Sequence, residues 1–237
     1  MNMNQNPVES SPVPRHLGII PDGNRRWAKL AGKPSLEGHR QGMNIAKKIA
    51  IAAFDEGIEY FTMFAFSKEN WKRTTEEVGY LMDLFFNLVV YEFGELEDRG
   101  VRFQLLGSRA ELPKRVLKAM EDAETRTKDN PNGTLCLALN YGGELEIVDA
   151  VKSIIATGLA PDKVTPALIE AHLYGKNIPP VDMVIRTSSE HRTSGFMLWR
   201  SAYAEYFFVN KLWPDYTAED LHHALVEYGR RNRRFGQ

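Results

Sequence analysis

A chain of 237 residues, 43% hydrophobic, is long enough to bury one substantial core, and reads as one large domain rather than two small ones. With 26% charged residues but a formal net charge of −1, it lacks the basic excess of a general nucleic-acid binder. The lone Cys136 excludes an internal disulfide or a cysteine-built zinc cluster, and no run approaches the ~18 apolar residues of a membrane span or forms a signal core, so a soluble, cytoplasmic protein is expected.

Residues 1–14 are polar and proline-punctuated, which predicts a flexible tail ahead of a domain over residues 15–237. Leu17-Gly18-Ile19-Ile20 reads as a buried strand, ended by Pro21-Asp22-Gly23-Asn24 and followed by a short helix from about Arg25 to Gly32. Ile45, Ile49, Ala52 and Ala53 recur at helical spacing over about 40–56, with Gly57 as a stop. Tyr60 to Phe66 is aromatic-rich and reads as a strand. Thr74 with Glu77 predicts a capping box opening one long helix to about Gly100. Val101 to Leu106 is the next strand, Pro113 to about Lys128 an amphipathic helix, Leu135 to Leu139 a strand holding Cys136, and Glu146 to about Ala156 a helix. Thr165-Pro166 caps a further helix, Asp182 to Ile185 and Tyr206 to Val209 read as strands, and Thr217 with Asp220 opens the last helix. Strands alternating with helices predict an α/β domain with a mostly parallel central sheet covered on both faces, which binds ligands beyond the carboxyl ends of its strands.

Three of those strand ends carry anion-binding side chains. After the first stand Asp22, Gly23, Asn24, Arg25, Arg26 and Trp27. Gly23 allows close backbone approach, the helix start offers free N–H groups, and Arg26 presents a fork suited to phosphate oxygens. An aspartate beside an anion makes sense if magnesium lies between them; equally, Asp22 could cap the helix beside solvated arginines. After the second strand, Ser67, Lys68, Glu69, Asn70, Trp71, Lys72 and Arg73 crowd hydroxyl, carboxylate, amide, indole and cations together, or form a plain polar loop. Arg186, Arg192 and Ser194 follow the strand at 182–185 and could converge on a second anion, or lie on a surface loop of compensating charge. Glu205 enters an apolar stretch and needs a partner there, a cation or a metal. Taken together, these residues suit a site for two diphosphates, and the missing Gly-x-x-x-x-Gly-Lys-Ser/Thr pattern argues against a nucleotide P-loop.

Five blocks, in order from His16 to the C-terminus, resemble the cis-prenyltransferase family, to which undecaprenyl diphosphate synthases belong. They are His16 to Lys29; Gly38-His39 with Gly42; Phe64 to Arg73; Asn140-Tyr141-Gly142-Gly143; and Ile185 to Tyr206. Arg234-Phe235-Gly236 resembles the family's C-terminal Arg-x-Gly. The resemblance implies a Mg2+-dependent homodimeric enzyme with a hydrophobic tunnel, condensing isopentenyl diphosphate with an allylic diphosphate such as dimethylallyl, geranyl or farnesyl diphosphate, and touching membrane at most peripherally through its lipid product. It also implies roles. Asp22 binds the metal, with Glu205 and His191 completing the metal site. Asp22 and Asn70 are catalytic, Asn70 as the family's proposed proton acceptor. Gly23, Asn24, Arg25, Arg26, Trp27, His39 and Arg73 serve the allylic diphosphate. Ser67, Lys68, Glu69 and Trp71 position substrates, and Arg186, Arg192, Thr193 and Ser194 hold isopentenyl diphosphate. The C-terminal tail reaches the partner subunit's site.

Departures from the family pattern are Arg25 in place of a usual glycine, Ser35 in place of an arginine, Glu144 in place of an arginine and Ser189 in place of a glycine. These surround the allylic side and leave starter and product length open; Arg25 could supply the charge that Ser35 lacks. Among the bulky residues of the predicted long helix, Phe85, Phe86, Tyr91 and Phe93, one or two are expected to limit elongation, with Phe86 the first to test. Two other readings share the fold: an irregular enzyme coupling two allylic units, and a non-catalytic subunit of a heteromeric prenyltransferase. The presence of Asp22, Asn70, Arg192, Ser194 and Glu205 disfavours the latter. The arginines at 230, 231, 233 and 234 read as a solvated or dimer-facing helix end rather than a nucleic-acid site, and His222-His223 as structural.

Overall fold

The computed structural model describes residues 13–231. Six strands form one sheet in the order β3-β4-β2-β1-β5-β6, every neighbouring pair parallel. They are β1 (His16–Ile20), β2 (Tyr60–Ser67), β3 (Arg102–Leu106), β4 (Thr134–Tyr141), β5 (Met183–Arg186) and β6 (Glu205–Phe208). The helices are α1 (Asn24–Leu30), α2 (Ser35–Asp55), α3 (Thr75–Asn87), α4 (Gly94–Asp98), α5 (Lys114–Thr127), α6 (Gly143–Ala156), α7 (Pro166–His172) and α8 (Ala218–Arg230).

Alternation along the strands splits the core in two. Leu17, Ile19, Phe61, Met63, Leu135, Leu137 and Leu139 face one layer, with Ile49 of α2, Phe85 of α3, Met120 of α5 and Leu221 of α8. Ile20, Phe64, Leu106, Cys136 and Ala138 face the other, packed with Ile178, Phe196 and Met197. Both faces are thus covered, which is why the strands read as nearly continuous apolar runs. Burial pushes the Cys136 thiol up to about 12 and leaves it an inert core group.

The predicted long helix is interrupted. α3 ends at Asn87, a π turn spans Leu88–Glu92, and α4 follows. Phe85, Val89 and Phe93 recur every four residues, and all three are buried. A plain 3.6-residue helix would carry that stripe off the core face; the wider turn keeps it there. The capping box at Thr74 is half made: its hydroxyl accepts from Glu77 N–H at 3.3 Å, while the Glu77 carboxylate serves His39 and Arg73 instead. Pro14, placed in the tail by composition, is buried, and the Arg15 carbonyl accepts from Glu59 and Tyr60 N–H; residues 1–12 lie outside the described residues.

The connection leaving β1 runs towards β2 on one side, while β5 passes to β6 on the other, so the chain diverges between β1 and β5. Such a divergence opens a crevice at the strands' carboxyl ends. Asp22 and Arg186 stand at its two sides.

Candidate active site

The carboxyl ends of β1, β2, β4 and β5 rim a cavity of ≈ 850 Å3. Its mouth is polar: Asp22, Asn24, His39, Ser67, Lys68, Glu69, Asn70, Arg73, Arg186, Arg192 and Ser194 all line it. Its floor is apolar, with Ala46, Met63, Leu81 and Phe85. A contiguous recess of ≈ 300 Å3 adds Gly23, Arg25 and Arg26 to Asp22, Asn24, His39 and Arg73. The fold therefore brings together residues from three separate strand ends.

Arg186 is the centre of the polar end. It closes β5, is 3% exposed, and donates through Nη2 to Asp22 Oδ2 at 2.8 Å and through Nη1 to Ser194 Oγ at 2.8 Å and the Arg192 carbonyl at 2.6 Å. Its buried Nε has no hydrogen-bond partner among the described residues, leaving one donor of the fork for a ligand. Asp22 is fixed from below: Thr187 Oγ1 accepts its N–H at 2.8 Å and donates to its carbonyl at 2.6 Å. The other carboxylate oxygen, Oδ1, accepts from Gly23 N–H at 2.7 Å. Gly23 has φ +104, and a Cβ there would meet Leu212 at 2.9 Å, so glycine is required on both counts. The first intrahelical bond of α1 runs from Trp27 N–H to the Gly23 carbonyl, so the N–H groups of Asn24, Arg25 and Arg26 precede the helix ladder at the recess.

Glu190 spans two arginines, accepting from Arg26 Nη2 at 2.9 Å and from Arg192 Nη1 at 2.5 Å. Those bonds, Arg26 first, hold its carboxyl below the usual range, so it stays ionised between them. Burial pushes His39 below its ordinary value against the pull of Glu77, and at neutral pH the ring meets Glu77 Oε1 as a neutral imidazole, 3.1 Å away. Arg73 reaches the same oxygen at 3.0 Å. Asn70 folds back on its turn, Oδ1 accepting Ser67 N–H at 3.1 Å.

Five of the expected residues line neither cavity. Trp27 lies outside the cavity wall, donating to Asp215 at 2.7 Å. Trp71 belongs to the Lys68–Lys72 turn, its indole donating to Asn140 at 2.8 Å. Thr193 lines neither cavity; its carbonyl accepts from Phe196 N–H. His191 is exposed, its ring 5.0 Å from that of Phe208. Glu205 opens β6 opposite Met183, three residues before the Phe208–Arg186 pair, so it lies about 10 Å back along the strand from the site. Arg231 meets it at 2.9 Å. Within one chain, then, Glu205 and His191 do not join Asp22, and no cluster of three or more His, Cys, Asp or Glu side chains able to hold a metal occurs among the described residues. The Arg-x-Gly tail lies outside the described residues.

Other contributors were not foreseen as site residues: Thr187 beneath Asp22, and Gly142, Gly143 and Glu144 in the cavity wall. The Tyr-Gly-Gly run at the end of β4 was the available signal for the latter. Ser189, where the family has glycine, adopts φ +58, a left-handed conformation that explains the usual residue.

The fold, this crevice and the family match together make the protein an α/β transferase of prenyl groups. The chain belongs to the family described as "Putative undecaprenyl diphosphate synthase", which matches residues 20–236, and it is a cis-prenyltransferase. It is 43% identical over 226 residues to the isoprenyl transferase of Thermotoga maritima, covering 94% of this chain and 97% of that one. It is 42% identical over 234 residues to the decaprenyl diphosphate synthase of Mycolicibacterium smegmatis, covering 97% and 80%. Among solved structures, lavandulyl diphosphate synthase from Lavandula x intermedia in complex with dimethylallyl diphosphate superposes with a TM-score of 0.92 at 36% identity, covering 95% of this chain and 99% of that one. A "probable undecaprenyl diphosphate synthase" from Campylobacter jejuni superposes with a TM-score of 0.80 at 27% identity, covering 95% and 100%. No helix of the described residues is long and apolar enough to cross a membrane.

Proposed function

We propose that the enzyme condenses isopentenyl diphosphate with a short allylic diphosphate in this cavity, with magnesium, as a cytoplasmic homodimer. The observation that carries the reading is the convergence of Arg186, Asp22 and Ser194 at the polar end of a cavity whose far end is apolar. Such a site grips two diphosphates and buries a hydrocarbon.

Asp22 fits magnesium. It is a single carboxylate, about a third exposed, opening onto both cavities, and magnesium usually takes one or two protein carboxylates together with substrate phosphates. When bound, the ion offsets the negative charge that grows on the departing diphosphate. Gly23 to Arg26, with His39 and Arg73, bind the allylic diphosphate in the smaller recess. Arg186, Arg192 and Ser194 bind the isopentenyl diphosphate, which displaces Glu190 from Arg192. The apolar floor takes the growing chain and excludes water from the allylic carbon. Asn70, fixed on its turn, stands on the rim where the leaving proton is accepted.

A role in metal binding for Glu205 or His191 requires a second subunit. The homodimer itself finds support in an apolar exposed face of α6 and the segment after β5, where Val148, Val151, Ile155, Leu198 and Tyr203 lie open. A second reading, coupling of two allylic units, has in its favour the likeness to a synthase solved with the allylic dimethylallyl diphosphate bound.

Purified protein given magnesium and isopentenyl diphosphate with dimethylallyl, geranyl or farnesyl diphosphate should yield Z-prenyl diphosphates by mass spectrometry. Product formed equally well without isopentenyl diphosphate supports the coupling reading instead, and no turnover by the chain alone supports a non-catalytic subunit.

A further inference from the structure

The Asn140-Tyr141-Gly142-Gly143 run contributes no charge to either diphosphate, yet it fastens the two sides of the cavity. We infer that Asn140 is a positioning residue, which holds the Ser67–Arg73 segment, and with it Asn70, in register with the Arg186–Ser194 side of the site. This rests on the condensation reading above.

Asn140 is fully buried at the end of β4. Its Oδ1 accepts the Trp71 indole N–H at 2.8 Å, and its Nδ2 donates to the carbonyls of Ser108 at 2.9 Å and Ala110 at 2.7 Å. Both amide hydrogens are used, so the side chain can neither rotate nor flip without stranding a buried group. Trp71 follows Asn70 directly. The Lys68–Lys72 segment is a single 3-10 turn, closed by Arg73 N–H on the Asn70 carbonyl and Ser67 N–H on the Asn70 side chain. These bonds are local and set the shape of the turn. The indole N–H bond to Asn140, 69 residues on, sets its place, helped by the Trp71 ring packed edge-on against Phe66.

Three residues further on, the start of α6 grips the other side. Gly143 N–H donates to the Gly195 carbonyl at 3.0 Å, and a Cβ at Gly143 would stand 2.4 Å from that oxygen. Gly195 directly follows Ser194, the hydroxyl held by Arg186. The end of β4 and the start of α6 therefore carry a strut to each half of the site, and Asn140 is the strut on the Asn70 side.

The backbone supplies a clean test. Asn140 adopts φ +49, a left-handed conformation that glycine also favours. Asn140→Gly thus keeps the backbone while removing all three hydrogen bonds. The expected result is a kcat lower by ~10- to 100-fold, the scale of a sub-ångström to ångström misplacement of a reacting group. The KM for isopentenyl diphosphate, set by the Arg186 side, should stay within about twofold. Trp71→Phe, which deletes only the donor's half of the bond, should reproduce the fall, and the double variant should be no worse than the poorer single one. Thr127→Val, which removes the buried bonds to Phe103 N–H and the Ala123 carbonyl away from the cavity, is the stability control. It should lower the melting temperature without moving kcat.

An activity-free readout follows the tether itself: exchange of the Trp71 indole proton by NMR, assigned through Trp71→Phe, should speed up in Asn140→Gly. Should Asn140→Gly fail to fold, Trp71→Phe alone carries the test. An unchanged kcat, an equal fall in Thr127→Val, additive losses in the double variant, or an unchanged indole exchange would each overturn the assignment. A wild-type protein that turns over nothing counts against the condensation reading instead, and leaves the indole exchange to decide the tether.

Discussion

The Arg186 guanidinium donates to the Asp22 carboxylate at 2.8 Å, joining the ends of β5 and β1 across the line where the sheet's connections diverge. The pair has two jobs that substitution can separate. It satisfies a buried arginine, and it holds a negative charge at the mouth of the cavity. Asp22→Asn keeps an acceptor but removes the charge. It should cost at least ~100-fold in kcat, on the scale of losing one preorganised electrostatic group, with no rescue by added magnesium. Asp22→Ala also leaves the buried guanidinium without its counter-charge, and should lose in addition about 1–3 kcal/mol of folding stability in urea titrations. Equal activity of Asp22→Asn and wild type would remove Asp22 from the chemistry.

Phe85 and Phe86 are adjacent but face different places. Phe85 is buried on the cavity floor, edge-on to Phe66 at 6.3 Å. Phe86 lies on the opposite side in a separate groove, beneath the Arg115 guanidinium at 3.9 Å. Tyr91 is exposed and Phe93 packs in the core against Phe103. Of the four bulky residues, Phe85 is therefore the one positioned to stop a growing chain, in place of Phe86. Phe85→Ala should shift products to longer chains by mass spectrometry, while Phe86→Ala leaves the distribution unchanged. The reverse pattern would exclude the floor as the ruler.

Why Phe86 seemed the better candidate in the sequence is instructive. An unbroken helix from Thr74 cannot say which face meets a cavity that tertiary packing creates, and a one-residue widening at Leu88–Glu92 resets everything after it. Strands were more legible because Val, Ile, Leu and aromatic runs bounded by glycine and proline carry a local signal; all six were placed to within a residue or two. Side chains that immediately follow a strand, such as Asp22 and Arg186, inherit their position from the sheet and could be placed as well. Glu205 could not. It looked like a carboxylate stranded in an apolar stretch, and only the β5–β6 register shows that it opens its strand instead of closing it. Its cation, Arg231, lies 26 residues away just past the end of α8, a pairing no local pattern contains.

His16 gives a pH dependence unrelated to the site. Its ring is fully buried, with Nε2 2.7 Å from Thr62 Oγ1 and Nδ1 2.9 Å from the Pro179 carbonyl. Burial lowers its pKa from 6.5 to about 4. The folded protein therefore holds the neutral ring while the unfolded chain takes up a proton below 6.5. Stability from this group is complete above 6.5, declines as pH falls, and is lost below about 4, a span worth roughly 3 kcal/mol. The difference in unfolding free energy between wild type and His16→Gln should shrink over that window. A constant difference would mean that His16 does not titrate as its surroundings dictate.

Glu146 and Arg200 form an ion pair at 2.9 Å with both side chains 1% exposed. Burial raises the Glu146 carboxyl, opposed by Arg200 and by the Tyr141 hydroxyl, which donates to it at 2.5 Å. Arg200 also donates to the carbonyls of Tyr174 at 2.8 Å, Gly175 at 3.2 Å and Ile178 at 3.4 Å; Gly175 also accepts from Ile178 N–H, so Tyr174 and Ile178 are the two backbone groups that depend on Arg200. Removing one partner of such a pair costs about 3–5 kcal/mol, because the other is left buried and charged. Arg200→Met should pay that and strand the carbonyls as well. Glu146→Gln should cost less, since an amide oxygen can still accept from Arg200 or Tyr141. The order of stability expected from urea denaturation is wild type, then Glu146→Gln, then Arg200→Met. The double variant Glu146→Leu/Arg200→Met should recover part of the loss but not all, because the Tyr174 and Ile178 carbonyls lose their donor. Full recovery would show that the pair is dispensable to folding, and that the two carbonyls find other donors.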